Sequence, residues 1–265
     1  MRRSRIAVRG GGDLATGTIY RLHRCGFPVL VLETEKPSAI RRYVAFSEAV
    51  YEGNWTVEGV EAVRVETVSE AEECCRQRKV PVLVDPHGTC LKEWKPEILI
   101  DAILAKRNLG TKIGMAETVI ALGPGFTAGT DADFIIETQR GHDLGRILES
   151  GSAAPNTGIP GVIAGYGKER VIHAPAAGTI RTICRIGELV EQGQVIAKIG
   201  EVSVKASLSG VLQGMIRDGY PVTEGFKIAD IDPRISEQKN CYTISDKARC
   251  IAGSVLEAVL RSGSV

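Results

Sequence analysis

Residues 174–200 and 206–232 align without a gap at an offset of 32, and this repetition constrains the fold more than any other feature. Gly178 meets Gly210, Gly187 meets Gly219, Val190 meets Val222 and Gly193 meets Gly225. Ile196, Ala197 and Ile199 likewise meet Ile228, Ala229 and Ile231. Short apolar runs parted by glycines at this pitch predict a pair of quasi-symmetric β units. Glycine is abundant overall, at 30 of 265 residues, against a usual share of roughly 7%.

The repeat pattern A-P-x-x-G followed by I-G-x-x-V-x-x-G-x-x-I-A resembles the barrel-sandwich hybrid of biotinyl and lipoyl domains. That family carries its prosthetic group on a lysine between the halves. Here the join is Gly200-Glu-Val-Ser-Val-Lys205, without Met-Lys-Met or Asp-Lys-Ala, so neither biotin nor lipoate is expected at Lys205.

Ahead of the repeat the texture is different. Apolar β-rich runs at 6–8, 29–32, 82–84, 98–103, 119–122 and 134–136 alternate with helical stretches, including 14–25. Runs that are apolar throughout imply burial on both faces and a largely parallel sheet. The expected fold class is therefore α/β: a Rossmann-like domain over 1–167, a barrel-sandwich β-module over 168–234, and a C-terminal helical segment over 235–265 packing back on the first domain. Ser245 is the expected N-cap of that helix.

Composition narrows the function classes. With 43% hydrophobic and 25% charged residues the chain has enough apolar matter for one large core or two small ones. A formal charge of +1 leaves no whole-protein field for nucleic acid or an anionic membrane, so an anionic ligand must be held locally. Only a three-residue apolar run, Ile6 to Val8, precedes Arg9, too short for a signal peptide, and no run approaches the roughly 20 of a membrane span. Seven cysteines without a C-x-x-C pair argue against a disulfide framework or a zinc site. The expectation is a reduced, cytoplasmic protein with no metal ligands of its own.

Gly10-Gly11-Gly12-Asp13-Leu14-Ala15 is a G-x-G-x-x-A run between an expected strand and helix, with Glu33 ending the next strand. Such a turn lets backbone approach a phosphate at a helix N-terminus, while the acid bonds a ribose hydroxyl. Asp13 departs from that pattern, since a carboxylate there faces an approaching pyrophosphate. The other apolar runs lead into Asp85-Pro-His87-Gly88, Gly123-Pro-Gly125 and Glu137-Thr-Gln-Arg140-Gly-His142. Ligands bind at the carboxyl ends of open sheets, so these loops are expected to gather around one crevice, with 155–161 as a rim. His87 and His142 are candidate general acids or metal ligands, or else loop hydrogen-bonders. Arg140 and Arg146 either clamp phosphate or pair with Glu137 and Asp143. Cys90 is either a thiolate beside Lys92 or an inert small hydrophobe.

Taken together, G-G-G-D-L-A-T-G at 10–17, D-P-H-G at 85–88, D-A-I-L-A-K-R-N at 101–108, G-P-G-F-T-A-G at 123–129, E-T-Q-R-G-H-D-L-G-R at 137–146, P-N-T-G at 155–158, D-I-D-P-R at 230–234 and S-D-K-A-R at 245–249 resemble the YqeB family. The stretch 10–33 is also similar to the corresponding part of XdhC-type accessory factors. The resemblance implies an accessory protein of a selenium-dependent molybdenum hydroxylase, with the hydroxylase apoprotein as partner and molybdenum cofactor, or its pterin dinucleotide form, as ligand. It supplies no catalytic residue. Two alternatives stand beside it: a NAD-dependent oxidoreductase using Gly10, Gly12 and Glu33, and a non-catalytic scaffold that binds the hydroxylase. Homo-oligomerisation stays open.

Overall fold

The computed structural model describes residues 4–158 and 161–263. The opening Met1–Arg3, and Ile159 and Pro160 of the expected rim, lie outside the described residues. The chain divides into two compact units, one made of 1–37, 45–156 and 244–265, the other of 38–44 and 157–243.

The first unit is built on β1 (Ile6–Arg9), α1 (Asp13–Arg24), β2 (Val29–Glu33), α2 (Ala49–Glu52), β3 (Asn54–Val57), β4 (Val60–Val65), α3 (Val68–Arg76), β5 (Val80–Val84), α4 (Leu91–Trp94), β6 (Ile98–Asp101), β7 (Thr118–Leu122), β8 (Thr127–Ala128), β9 (Phe134–Ile136), β10 (Ile147–Leu148) and β11 (Gly151–Ser152). A nine-stranded sheet runs β10-β9-β7-β6-β1-β2-β5-β4-β3. Every residue of β1, β2, β6 and β7 is buried, as the unbroken apolar runs require. The C-terminal α5 (Asp246–Arg261) lies against α1, where a side chain at Gly17 would come within 2.8 Å of Ala248 Cβ. Ser245 caps α5, its hydroxyl accepting the Ala248 N–H at 3.2 Å.

The second unit holds β12 (Val171–His173), β13 (Gly178–Thr182), β14 (Leu189–Val190), β15 (Val195–Ile199), β16 (Val202–Lys205), β17 (Gly210–Met215), β18 (Pro221–Val222) and β19 (Lys227–Asp232). They form two four-stranded antiparallel sheets, β12-β19-β17-β14 and β16-β15-β13-β18. The repeats interlock: the short β14 of the first pairs with β17 of the second, and the short β18 of the second pairs with β13 of the first. Exposed Lys205 ends β16, opposite Val195.

The expected fold class is corrected on these grounds. The large sheet is mixed, closed at one edge by β3 antiparallel to β4 and at the other by β10 antiparallel to β9. Helices are few, and loops rather than helices lead from β6 to β7 and from β7 to β9. A Rossmann-like domain needs a helix in each such crossover to cover its sheet. The chain is a mixed α/β fold of one large mixed sheet and several small antiparallel sheets, in place of a Rossmann-like domain joined to a barrel-sandwich hybrid.

Candidate functional site

The carboxyl end of β1 carries the densest set of special backbone and buried charge. Gly10 has φ +92°, and a Cβ there would come within 3.0 Å of Ala102 O and Ile103 Cα, so only glycine fits the turn. The Gly11 carbonyl accepts from Ser47 N at 2.9 Å and Thr16 Oγ1 at 3.2 Å. The Gly11 N–H donates to Glu33 Oε1 at 2.6 Å, while Glu33 Oε2 accepts the Thr34 N–H at 2.8 Å. Burial pushes the Glu33 carboxyl above its ordinary range, against the pull of those two N–H groups.

Gly12 follows as the N-cap of α1 and offers no side chain to cap it. Space is open where its Cβ would stand. The first-turn N–H groups of a helix have no intrahelical acceptor, so an uncapped start suits an anion. Half-buried Asp13 opens the helix. Lys247, in the first turn of α5, is held below its usual range by burial and by Arg140, against the opposing pull of Asp13, Glu137 and Asp246. Those couplings set its ammonium in the same electrostatic neighbourhood as Asp13.

Beneath the turn sits a buried polar cluster. Arg9 is 4% exposed and Asp101 1%. Thr111 Oγ1 lies 2.5 Å from both Arg9 Nη1 and Asp101 Oδ2, and the ion pair itself spans 3.6 Å. Arg9 Nη2 also donates to Pro86 O at 3.0 Å and Leu109 O at 3.3 Å. Burial raises the Asp101 carboxyl, opposed by Thr111, the Ile103 N–H and Arg9. Asn108 fixes the same loop by donating to Thr111 O and to Asp131 Oδ1.

The remaining sequence candidates scatter. Asp85 accepts from Thr89 Oγ1 and Cys90 N, and although burial opposes ionisation these bonds hold its carboxyl below the usual range. Burial and neighbouring Asp85 push the Cys90 thiol up to about 12, far from a thiolate at neutral pH. Glu137 accepts the Gln139 and Ala154 N–H groups at 2.6 and 2.7 Å. Arg140 forms a bidentate pair with Asp246, at 2.9 and 3.1 Å, and Arg146 pairs with Asp143. At Gly123 a Cβ would meet Thr138 Oγ1 at 2.5 Å, and at Gly125 it would meet Arg107 Cα at 2.6 Å. His87 and His142 are exposed.

Strand order decides which of these meet. Five steps of the sheet separate β5 from β9, roughly 24 Å at the usual strand spacing. The His87 and His142 loops therefore start too far apart to grip one small group, contrary to the single crevice expected. Gly10–Asp13 and Glu33 do come together, as does Asp101 on the neighbouring strand. Arg9, Asp101, Thr111 and Lys247 carry no role in the sequence reading. A charged residue ending an apolar strand was the available signal for Arg9 and Asp101. Among the described residues no three His, Cys, Asp or Glu side chains are grouped to hold a metal ion, and no helix is long and apolar enough to cross a membrane.

No family model matches the chain. Among solved structures it is similar to an aspartoacylase family protein from Mesorhizobium loti, at 11% identity and TM-score 0.26, over 87% of this chain and 85% of that one. It is also similar to a succinylglutamate desuccinylase/aspartoacylase from Rhodobacter sphaeroides, at 12% identity and TM-score 0.26, over 86% and 85%. Likenesses this faint carry neither fold nor activity to the chain. The uncharacterized protein YqeB of Escherichia coli (strain K12) is 51% identical over 255 residues, which are 96% of this chain and 47% of that protein. The chain thus spans about half the length of this relative, to which it is similar over 96% of its own length.

Proposed function

We propose that the chain is a maturation factor for a selenium-dependent molybdenum hydroxylase. Its cargo is molybdenum cofactor or the pterin dinucleotide form, held by its phosphate at the glycine turn after β1 and passed to the hydroxylase apoprotein. The observation that carries this reading is the open, side-chain-free start of α1 at Gly12. Phosphate there would meet first-turn N–H groups. Glu33 keeps the turn in shape by holding the Gly11 N–H.

The same bond weakens the NAD-dependent alternative. Both Glu33 oxygens are engaged by backbone N–H groups, so the acid that would recognise a ribose is already committed. The test is an anaerobic fluorescence titration of the purified chain with molybdenum cofactor and with its cytidine dinucleotide, alongside NAD(H). Micromolar binding of at least one molybdenum species, and none of NAD(H), is expected. Absence of binding to both molybdenum species overturns the proposal.

A further inference from the structure

We propose a second anion site in the first unit, a cleft between the end of α1 and α5 that takes the phosphoryl group of a small ligand. The cleft has a volume of about 200 Å³ and is lined by Tyr20, Arg21, Arg24, Cys25, Ile244 and Arg249. Arg24 stands eleven residues along α1 from Asp13, roughly 16 Å at the helical rise, so this cleft is separate from the glycine turn.

Its construction follows from the helix contact. Tyr20 and Arg24 are four residues apart and Arg21 and Arg24 three, so all three share one face of α1. Gly17 lies on the same face and lets α5 approach at Ala248, which brings the adjacent Arg249 alongside. Three arginines from two helices thus line one small volume.

Their charge is only partly balanced. Arg249 is paired with Glu58, its Nη2 at 2.6 Å from both carboxylate oxygens. Neither Arg21 nor Arg24 makes an ion pair with any described residue. Cations in the last turn of a helix are favoured by its dipole, which accounts for Arg21 and Arg24 being on α1. It does not account for Arg249 arriving from another helix, nor for a phenol facing the same space. Guanidinium forks match phosphate bidentately, and the Tyr20 hydroxyl adds a neutral donor.

Size sets the ligand class. Sites for drug-sized molecules run from about 300 to 1,000 Å³, so this cleft holds a phosphoryl group with a small remainder and no complete nucleotide. Cys25 and Ile244 line the same cleft, an uncharged edge that suits a short organic remainder better than a second charge.

The experiment is calorimetry of the full chain with inorganic phosphate and, separately, with glycerol 3-phosphate. At least one should bind with a dissociation constant of about 1 mM or tighter. Arg24→Gln, at an exposed position, and Arg21→Gln should each weaken that binding by about tenfold or more. Binding at the glycine turn would instead be lost in Gly12→Asp and kept in both arginine variants. Tighter binding of the ester identifies the phosphoryl end of a metabolite, and tighter binding of the inorganic ion identifies free phosphate. Failure of both ligands to bind, or binding that is unchanged in both arginine variants, overturns the proposal.

Discussion

Glu33 Oε1 accepts the Gly11 N–H at 2.6 Å, which turns the acid that ends β2 onto the glycine turn beside it. Burial raises this carboxyl despite its two backbone bonds. A carboxyl whose folded pKa exceeds its unfolded value stabilises the fold fully below the unfolded value, and that stability is lost as pH rises through the folded one. Glu33→Gln cannot ionise. Its stability relative to the parent should therefore grow as pH rises through the range in which the Glu33 carboxyl ionises. Thermal unfolding of both proteins across that range checks this, and a difference independent of pH contradicts it.

Arg9 and Asp101 make a buried pair bridged by Thr111. Arg9→Leu leaves the buried Asp101 carboxylate without its countercharge and the Pro86 and Leu109 carbonyls without this donor, and should cost about 3–5 kcal/mol in urea unfolding. The double variant Arg9→Leu with Asp101→Leu should recover part of that loss, because no charge is then stranded. Losses that simply add would show the two residues to be uncoupled.

The difference between what the sequence discloses and what it hides has a physical cause. Apolar runs at 6–8, 29–32 and 119–122 are strands because burial on both faces leaves their composition no other use. The β3–β4 hairpin is less legible: exposed and buried positions mix in β3, and its antiparallel pairing depends on the turn. Nothing in 38–44 marks it for the second unit, where Ile40 O accepts the Met215 N–H at 2.9 Å. At the site, the glycine turn and Glu33 follow from local spacing. The Arg9–Thr111 contact spans 102 residues, and the Arg140–Asp246 pair 106, so only strand order and helix docking bring them about.

Gly125 has φ +105°, and an added Cβ would lie 2.6 Å from Arg107 Cα and 2.8 Å from Arg107 N. Backbone cannot withdraw as a flexible side chain can. Gly125→Ala should therefore destabilise the first unit by about 2 kcal/mol or more. Denaturant unfolding would show it as a lowered midpoint, and an unchanged midpoint would mean that the Arg107 loop yields freely.

All seven cysteines are free thiols, and their reactivities should differ widely. Burial pushes Cys90 and Cys75 up to about 12 and Cys74 up to about 11. Cys250 is exposed on α5. Iodoacetamide near neutral pH should label Cys250 first and leave Cys74, Cys75 and Cys90 far behind it, as peptide mass spectrometry over time would reveal. Equal labelling of Cys90 and Cys250 would restore Cys90 as a candidate nucleophile.

Gly12 allows the most direct test of cargo binding at the glycine turn. Its surroundings are open and its φ of −64° suits any residue, so Gly12→Asp adds a carboxylate without strain. Asp at an N-cap accepts first-turn N–H groups and keeps or raises helix stability. It also occupies the donors that phosphate needs. The decisive measurement is the anaerobic binding isotherm of molybdenum cofactor and its cytidine dinucleotide for the parent and for Gly12→Asp. The prediction is micromolar binding by the parent and affinity lower by about tenfold or more in the variant, at an equal or higher melting temperature. Equal affinity in the two proteins would contradict it.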